Sequence, residues 1–311
     1  IEDLLNIHEI KNLRILYSTY FDEQKIDEDA VIMDRVFRLN CPLVDMSPIA
    51  VEPDFTRKYL QSANLEALVK RIHKAFDRVA WEKDFVLCEG TGHAGVGSVF
   101  DLSNANVAKL LNAKVVIVTR GGIGQPIDET VMNHALFKQE GVQVIGVIIN
   151  KVLPEKLDYI TEFAPRGLKR KGLELLGVVP YQPILSRPTL GAIADELEAE
   201  ILVGKSPLTQ IVNQVVIGAM GAERAKTLLK PNVVMIVPAD REDILNAATE
   251  QMKASRQPIA GLILSDDIKP TISMLKQLRE LPCPVIITGK DSYHAASVVH
   301  DLIVKTRPDD I

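Results

Sequence analysis

Cysteine is scarce in this sequence. The 311 residues contain three, Cys41, Cys88 and Cys283, an odd number and far apart in the chain. They form neither a disulfide framework nor a zinc spacing, which points to a reducing, cytoplasmic setting. Long apolar runs are missing too. A membrane helix needs ~18–20 such residues, and the longest bursts, Val115–Val118 and Val144–Ile149, have strand length. Basic charge is not in excess: 36 Lys+Arg stand against 41 Asp+Glu, a net charge of −5. Neither a membrane nor a nucleic acid is therefore expected as a partner. No basic stretch followed by an apolar one opens the chain, so no leader is expected, and the start at Ile1 fits a fragment or a processed form. There is no G-x-S-x-G and no persuasive Ser/His/Asp order. His8, His73, His134, His294 and His300 share no spacing and read as surface or satisfied core residues.

What is present is globular. Hydrophobic residues make up 47% and charged residues 25%, which excludes a disordered chain, and the length suggests about two domains. Short apolar runs alternate with helical patterns: Asp84–Cys88, then a helix near Val107–Asn112, the run Lys114–Thr119, a helix over Asp128–Glu140, and the runs Val142–Asn150 and Leu173–Pro180. Strand-sized runs separated by helices read as βαβ units in a mostly parallel sheet covered on both faces. Cys88, in an apolar run, is expected to be inert core. A second series runs from Gln214 to Val304. Residues 205–311 carry 13 Lys+Arg against 12 Asp+Glu, whereas residues 1–204 carry 23 against 29. The expected division is thus 1–204 and 205–311, at the polar joint Gly204-Lys205-Ser206-Pro207.

The richest segment is Glu89–Asp101, EGTGHAGVGSVFD, directly after the apolar run FVLC. Ligands of open parallel sheets bind at the carboxyl ends of strands. Glu89 there suits Mg²⁺, and Gly90, Gly92, Gly95 and Gly97 let backbone N–H groups approach an anion. His93 can donate to a phosphate or carboxylate. The alternative is a glycine-rich turn with a solvated glutamate. Asp27, Glu28 and Asp29 precede a helix, where acids are favoured on dipole grounds alone. Asn150-Lys151 closes another strand; an amide there can read a purine edge, or simply sit in a turn. Ala199–Ser206, AEILVGKS, fits a loose phosphate-loop pattern, but its interior is bulky and apolar and Pro207 follows at once. It reads as a coincidence.

Four stretches carry a resemblance: EGTGHAGVGSVFDLSNANVAKLLNAKVVIVTRGGIGQPIDE, GVIINKVLPEK, LLGVVPYQPILSRPT and VVIGAM with VPADREDI. From about Asp27 onward the chain resembles the N-terminal regulatory region of long-form phosphate acetyltransferases and their stand-alone BioD-like relatives. The resemblance implies a dethiobiotin synthetase-like, P-loop-type α/β domain with flanking helices, followed by a smaller α/β DRTGG domain. It implies Asp29 and Glu89 as Mg²⁺-side acids and Asn150 as the adenine reader, with Pro180 near the other side of the purine. Gly90, Thr91, Gly92, His93 and Lys151 complete the expected ATP or ligand site. Asp240-Arg241 matches the aspartate-arginine pair of the second domain, with an unnamed ligand.

The sequence departs from that family twice. Leu13–Tyr20 looks like the first strand, yet Phe21–Lys25 leads straight to Ile26, with no phosphate loop or helix between: either evolution removed that segment or this sequence omits it. The acetyl-transferring domain would follow the DRTGG domain, so acetyl transfer from this chain is not expected. Three functions follow: a regulatory or ligand-sensing module, acting as a homo-oligomer or on a protein partner; an ATP/Mg-dependent ligase of dethiobiotin synthetase type; and a phosphate acetyltransferase fragment.

Overall fold

The computed structural model describes residues 13–15, 19–21, 24–26, 28–49, 51, 54–205, 208–255 and 258–302. It divides into two compact units, Ile1–Gln182 and Pro183–Ile311.

The first unit opens with β1 (Leu13–Ile15), β2 (Thr19–Phe21) and β3 (Gln24–Ile26). β2 and β3 form an antiparallel hairpin, Tyr20 opposite Lys25 and Phe21 opposite Gln24. Of the single strand expected over Leu13–Tyr20, β1 pairs with a later strand and β2 with β3, and residues 16–18 and 27 lie outside the described residues. Asp22 and Glu23, between the paired Phe21 and Gln24, lie outside the described residues too. The six residues from Tyr20 to Lys25 are too few for a phosphate loop and a crossover helix.

Next come α1 (Glu28–Phe37), α2 (Leu43–Met46), α3 (Phe55–Gln61) and α4 (Leu65–Ala80). The α4 helix buries Ile72, Ala75 and Val79 at helical spacing, and Asn64 caps it by accepting from the Ala67 N–H at 3.0 Å. Arg78 of α4 reaches the buried Asp45 carboxylate of α2 at 2.7 Å. β4 (Leu87–Glu89) pairs with β1 in parallel, Glu89 opposite Ile15. Cys88 is exposed rather than core. The whole of β4 is exposed, and β1 is its one strand partner among the described residues.

The rest of this unit is the alternation expected. α5 (Asn104–Leu110), β5 (Val115–Arg120), α6 (Gln125–Gln139), β6 (Val144–Val152), α7 (Leu157–Lys169) and β7 (Leu175–Pro180) follow in order. The strands form a parallel sheet β5-β6-β7, with Ile117 opposite Val147 and Arg120 opposite Asn150. Ile117 packs with Phe137 and Ala105 of the helices, and Val147 with Ile127 and Leu168. β5 is an edge strand among the described residues, and Val118 on it is 60% exposed.

The second unit holds α8 (Leu190–Glu196), β8 (Glu200–Val203), β9 (Gln214–Ile217), α9 (Ala222–Leu228), β10 (Val233–Pro238) and α10 (Glu242–Ser255). β11 (Gly261–Ser265), α11 (Ile272–Leu278), β12 (Val285–Ile287) and α12 (Ser292–Asp301) complete it. The sheet order is β8-β12-β11-β10-β9, parallel except for β8. Its apolar runs are continuous because both faces are covered. Val233, Met235 and Val237 pack with Ile244, Leu245 and Met274 on one side, while Val234 and Ile236 pack with Leu190, Ile193 and Ala295 on the other. Each such fully buried aliphatic side chain is worth about 1.5–3 kcal/mol.

The division between units lies before Pro183, not at 204. Leu190, Ile193 and Leu197 are buried in the second core, and β8 pairs antiparallel with β12. The change of charge near 204 therefore falls inside the second unit.

Candidate ligand-binding site

An open cavity of about 1010 Å³ lies at the carboxyl ends of β5 and β6. Parallel strands deliver Thr119 and Arg120 from β5, and Asn150 and Lys151 from β6, to one rim. Gly92–Gly95 form a second wall, and α6 a third through Gln125, Glu129, Met132, Asn133 and Leu136. Four of the expected site residues, Gly92, His93, Asn150 and Lys151, thus come together. Gly90, Thr91 and Pro180 do not line the cavity.

Asn150 accepts the backbone N–H of Lys151 on its Oδ1 at 2.8 Å, and Lys151 holds the left-handed φ of +58°. Such a conformation is costly for a residue with a Cβ and persists only where its surroundings impose it. Gly121 belongs to those surroundings. A Cβ on it would lie 2.8 Å from the Lys151 carbonyl oxygen and 2.9 Å from the Val152 Cα, so only glycine lets the two strand ends approach this closely. Arg120 and Lys151 have no ion-pair partner among the described residues. The one carboxylate in the lining, Glu129, accepts from the Gln125 amide at 2.6 Å. The two lining hydroxyls, Thr119 and Thr130, both donate to the Pro126 carbonyl, at 3.4 and 2.7 Å. The wall offers cations, amides, the His93 ring and apolar surface, and its two hydroxyls donate to a backbone carbonyl.

The glycine-rich segment is a turn that uses part of its own backbone N–H set. The N–H groups of Val96, Ser98 and Phe100 donate to the carbonyls of His93, Gly95 and Gly97. The Gly95 N–H donates to His93 Nδ1 at 3.2 Å, leaving Nε2 as that ring's donor. Two asparagines fix the turn. Asn104, in the first turn of α5, donates to the carbonyls of Thr91 and His93 at 2.8 and 2.9 Å. Asn133 of α6 accepts the Ala94 N–H at 2.6 Å and donates to the Glu129 carbonyl at 2.8 Å.

Glu89 ends β4, and Asp29 lies in the first turn of α1. β1 lies against α1 and pairs with β4, so the two acids stand on elements that share a neighbour. Among the described residues no group of three or more His, Cys, Asp or Glu side chains is arranged to hold a metal ion. Mg²⁺ is commonly held by one or two carboxylates plus substrate phosphates. The only G-K-[ST] in the sequence is Gly204-Lys205-Ser206. Its preceding residues form the edge strand β8, not a strand-to-helix loop. Ser206 lies outside the described residues. These residues do not fit Mg-ATP held by a phosphate loop.

A family model described as an AAA domain matches residues 20–189, more than half of the chain. The chain belongs to this AAA-domain family. A second model, the DRTGG domain, matches residues 192–302. The AAA domain is the BioD-like domain expected from the sequence, and the pair resembles the N-terminal part of phosphate acetyltransferases. The phosphate acetyltransferase of Synechocystis is 29% identical over 259 residues, covering 79% of this chain and 36% of that protein. That of Pseudomonas aeruginosa is 29% identical over 257 residues, covering 77% and 36%. That of Nitratidesulfovibrio vulgaris is 25% identical over 300 residues, covering 91% and 41%. The chain therefore spans about two fifths or less of the length of these relatives. A crystal structure of the CBS and DRTGG domains of the regulatory region of Clostridium perfringens pyrophosphatase, complexed with the activator diadenosine tetraphosphate, is 25% identical. It covers 38% of this chain and 50% of that one, with a TM-score of 0.31.

In the DRTGG domain, Asp240 and Arg241 stand between β10 and α10. Asp240 is exposed. Arg241 makes a bidentate pair with Asp243, both bonds at 2.8 Å, and donates to the Met220 carbonyl at 3.0 Å. The pair holds the Asp243 carboxyl below its ordinary range and raises Arg241. Arg241 thus fastens the start of α10 to the segment after β9. Sequence reasoning passed over Arg120, Gly121, Asn104 and Asn133. A signal existed for the first two, because T-R-G-G closes the apolar run KVVIVT as Asn150-Lys151 closes VIGVIIN. Nothing local marks Asn133, whose role depends on a loop 39 residues away.

Proposed function

We propose that this protein is a ligand-sensing regulatory module, derived from an ATP-binding fold, that responds to a small molecule or nucleotide. It acts either on a protein partner, an acetyl-transferring domain on the same polypeptide or another, or as a homo-oligomer. The cavity at the ends of β5 and β6 carries this reading. It combines two unpaired cations with amides and apolar surface, while its hydroxyls are committed to a backbone carbonyl. The similarity to phosphate acetyltransferases over most of the chain supports the choice of target. A cytoplasmic setting is supported by three free cysteines, and no helix among the described residues is long and apolar enough to cross a membrane. Asp240 is the exposed member of the pair proposed to meet a second ligand in the DRTGG domain.

Titration calorimetry with ATP and adenosine, alongside an assay for Mg²⁺-dependent ATP turnover, tests this proposal. The expected result is saturable binding without turnover. Turnover with a carboxylate substrate would instead establish the ligase reading.

A further inference from the structure

We propose that the cavity seats the phosphate group of its ligand between Arg120 and Lys151, two strand-end side chains serving where other nucleotide folds use a phosphate loop. This rests on the reading of the cavity as a ligand site and adds the chemical class of the ligand.

Arg120 and Asn150 are partners in the last rungs of the β5-β6 ladder, and Lys151 follows directly. Adjacent strands lie ~4.8 Å apart, so the two cations leave the backbone from neighbouring positions. Both cations line the one cavity, and neither has an ion-pair partner among the described residues, so an anion entering it gains from both. Glu129, the one carboxylate of the lining, makes no ion pair with either cation among the described residues. The chain as a whole is acidic, at −5, which makes an uncompensated pair of cations in a cavity the more specific. The pair is also held in place. Lys151 is kept in its left-handed conformation by Asn150 and by the close approach of Gly121. A doubly charged phosphate with several acceptor oxygens suits one guanidinium and one ammonium together. Val118, Met132 and Leu136 face the remaining volume, and the first two are 60% and 68% exposed. The phosphate should therefore carry an organic body, and the volume admits one of nucleotide size.

The test is calorimetry on the full chain with three metal-free probes: ATP, inorganic phosphate and adenosine. ATP should bind more tightly than adenosine, and more weakly as salt rises. Arg120→Gln and Lys151→Gln should each weaken ATP on the order of tenfold and leave adenosine unchanged. Both residues are exposed, and circular dichroism is the check that the variants fold. Inorganic phosphate that competes with ATP but binds more weakly supports a phosphate ester as ligand. Phosphate that binds as tightly as ATP supports the same subsite with free phosphate as its source. Unchanged ATP affinity in the folded double variant would overturn the subsite and leave the cavity reading standing. Failure of all three probes at millimolar concentration would overturn both.

Discussion

The side-chain oxygen of Asn150 accepts the backbone N–H of Lys151, the very next residue. An amide expected to read a ligand is also used to shape the chain. It supports a left-handed lysine at the rim of the cavity. Asn150→Asp keeps an acceptor for that N–H but sets a carboxylate beside Arg120 and Lys151. The expected result is a fall in ATP affinity on the order of tenfold with the melting temperature moved by no more than about 2 °C. A large drop in melting temperature without a change in binding would mean that Asn150 serves the fold alone.

Gly121→Ala strikes the same place from the other strand. Its added methyl would meet the Lys151 carbonyl oxygen and the Val152 Cα, both below 3.0 Å. These are backbone atoms and cannot rotate away. The substitution should destabilise the AAA domain by about 1–3 kcal/mol, as overpacking does, measured by urea unfolding. Crystallography of the variant should show the Lys151 turn displaced from β5.

Asn104→Ala removes two donors to the Thr91 and His93 carbonyls. The loss should be roughly 1–3 kcal/mol. Hydrogen exchange should rise across Gly90–Val96 while β9–β12 stay protected. Uniform exchange throughout the chain would contradict a local fastening role.

The strands β5, β6, β7 and β10–β12 could be read from the sequence because each is an apolar run bounded by turn residues, and burial on both faces needs no alternation. β8 could not. Glu200–Val203 has nothing local to set it apart from a helix end or a loop, and it becomes a strand by pairing with β12, more than eighty residues on. The same contact moved the unit boundary, since a Pro-containing polar joint reports solvent exposure and not which core its neighbours join. At the site, glycine spacing identified a turn, and the N–H groups of Gly95, Val96, Ser98 and Phe100 are accepted within it by His93, Gly95 and Gly97. The residues left facing the cavity as cations come instead from strand ends.

The acid limb of stability should be set partly in the DRTGG domain. Asp243 is lowered by the Arg241 guanidinium, and Asp291 by the backbone N–H and then the ring of His294. A carboxylate lowered in the folded state contributes stability above its unfolded value, ordinarily 3.8. That contribution is lost as pH falls through the lowered folded value. Protection factors of β10–β12 in the full chain, taken against the intrinsic exchange rate at each pH, should therefore fall below about pH 4. Asp243→Asn and Asp291→Asn should flatten that dependence while reducing protection at neutral pH. A slope unchanged in the double variant would place the acid sensitivity elsewhere.

Lys205→Ala separates the two lysines that sequence alone could nominate for a phosphate. Lys205 follows the edge strand β8 in the second unit, whereas Lys151 lines the cavity of the first. A phosphate loop works through backbone N–H groups at the start of a helix, with the lysine reaching the same anion. Here the four residues before Gly204 are already paired as an antiparallel strand, so their N–H groups point into or away from a sheet and cannot curl around an anion. Lys205→Ala should leave ATP affinity within about twofold of the parent, less than 0.5 kcal/mol, whereas Lys151→Gln lowers it on the order of tenfold. A large loss from Lys205→Ala, with Lys151→Gln silent, would move the phosphate site to the other end of the chain.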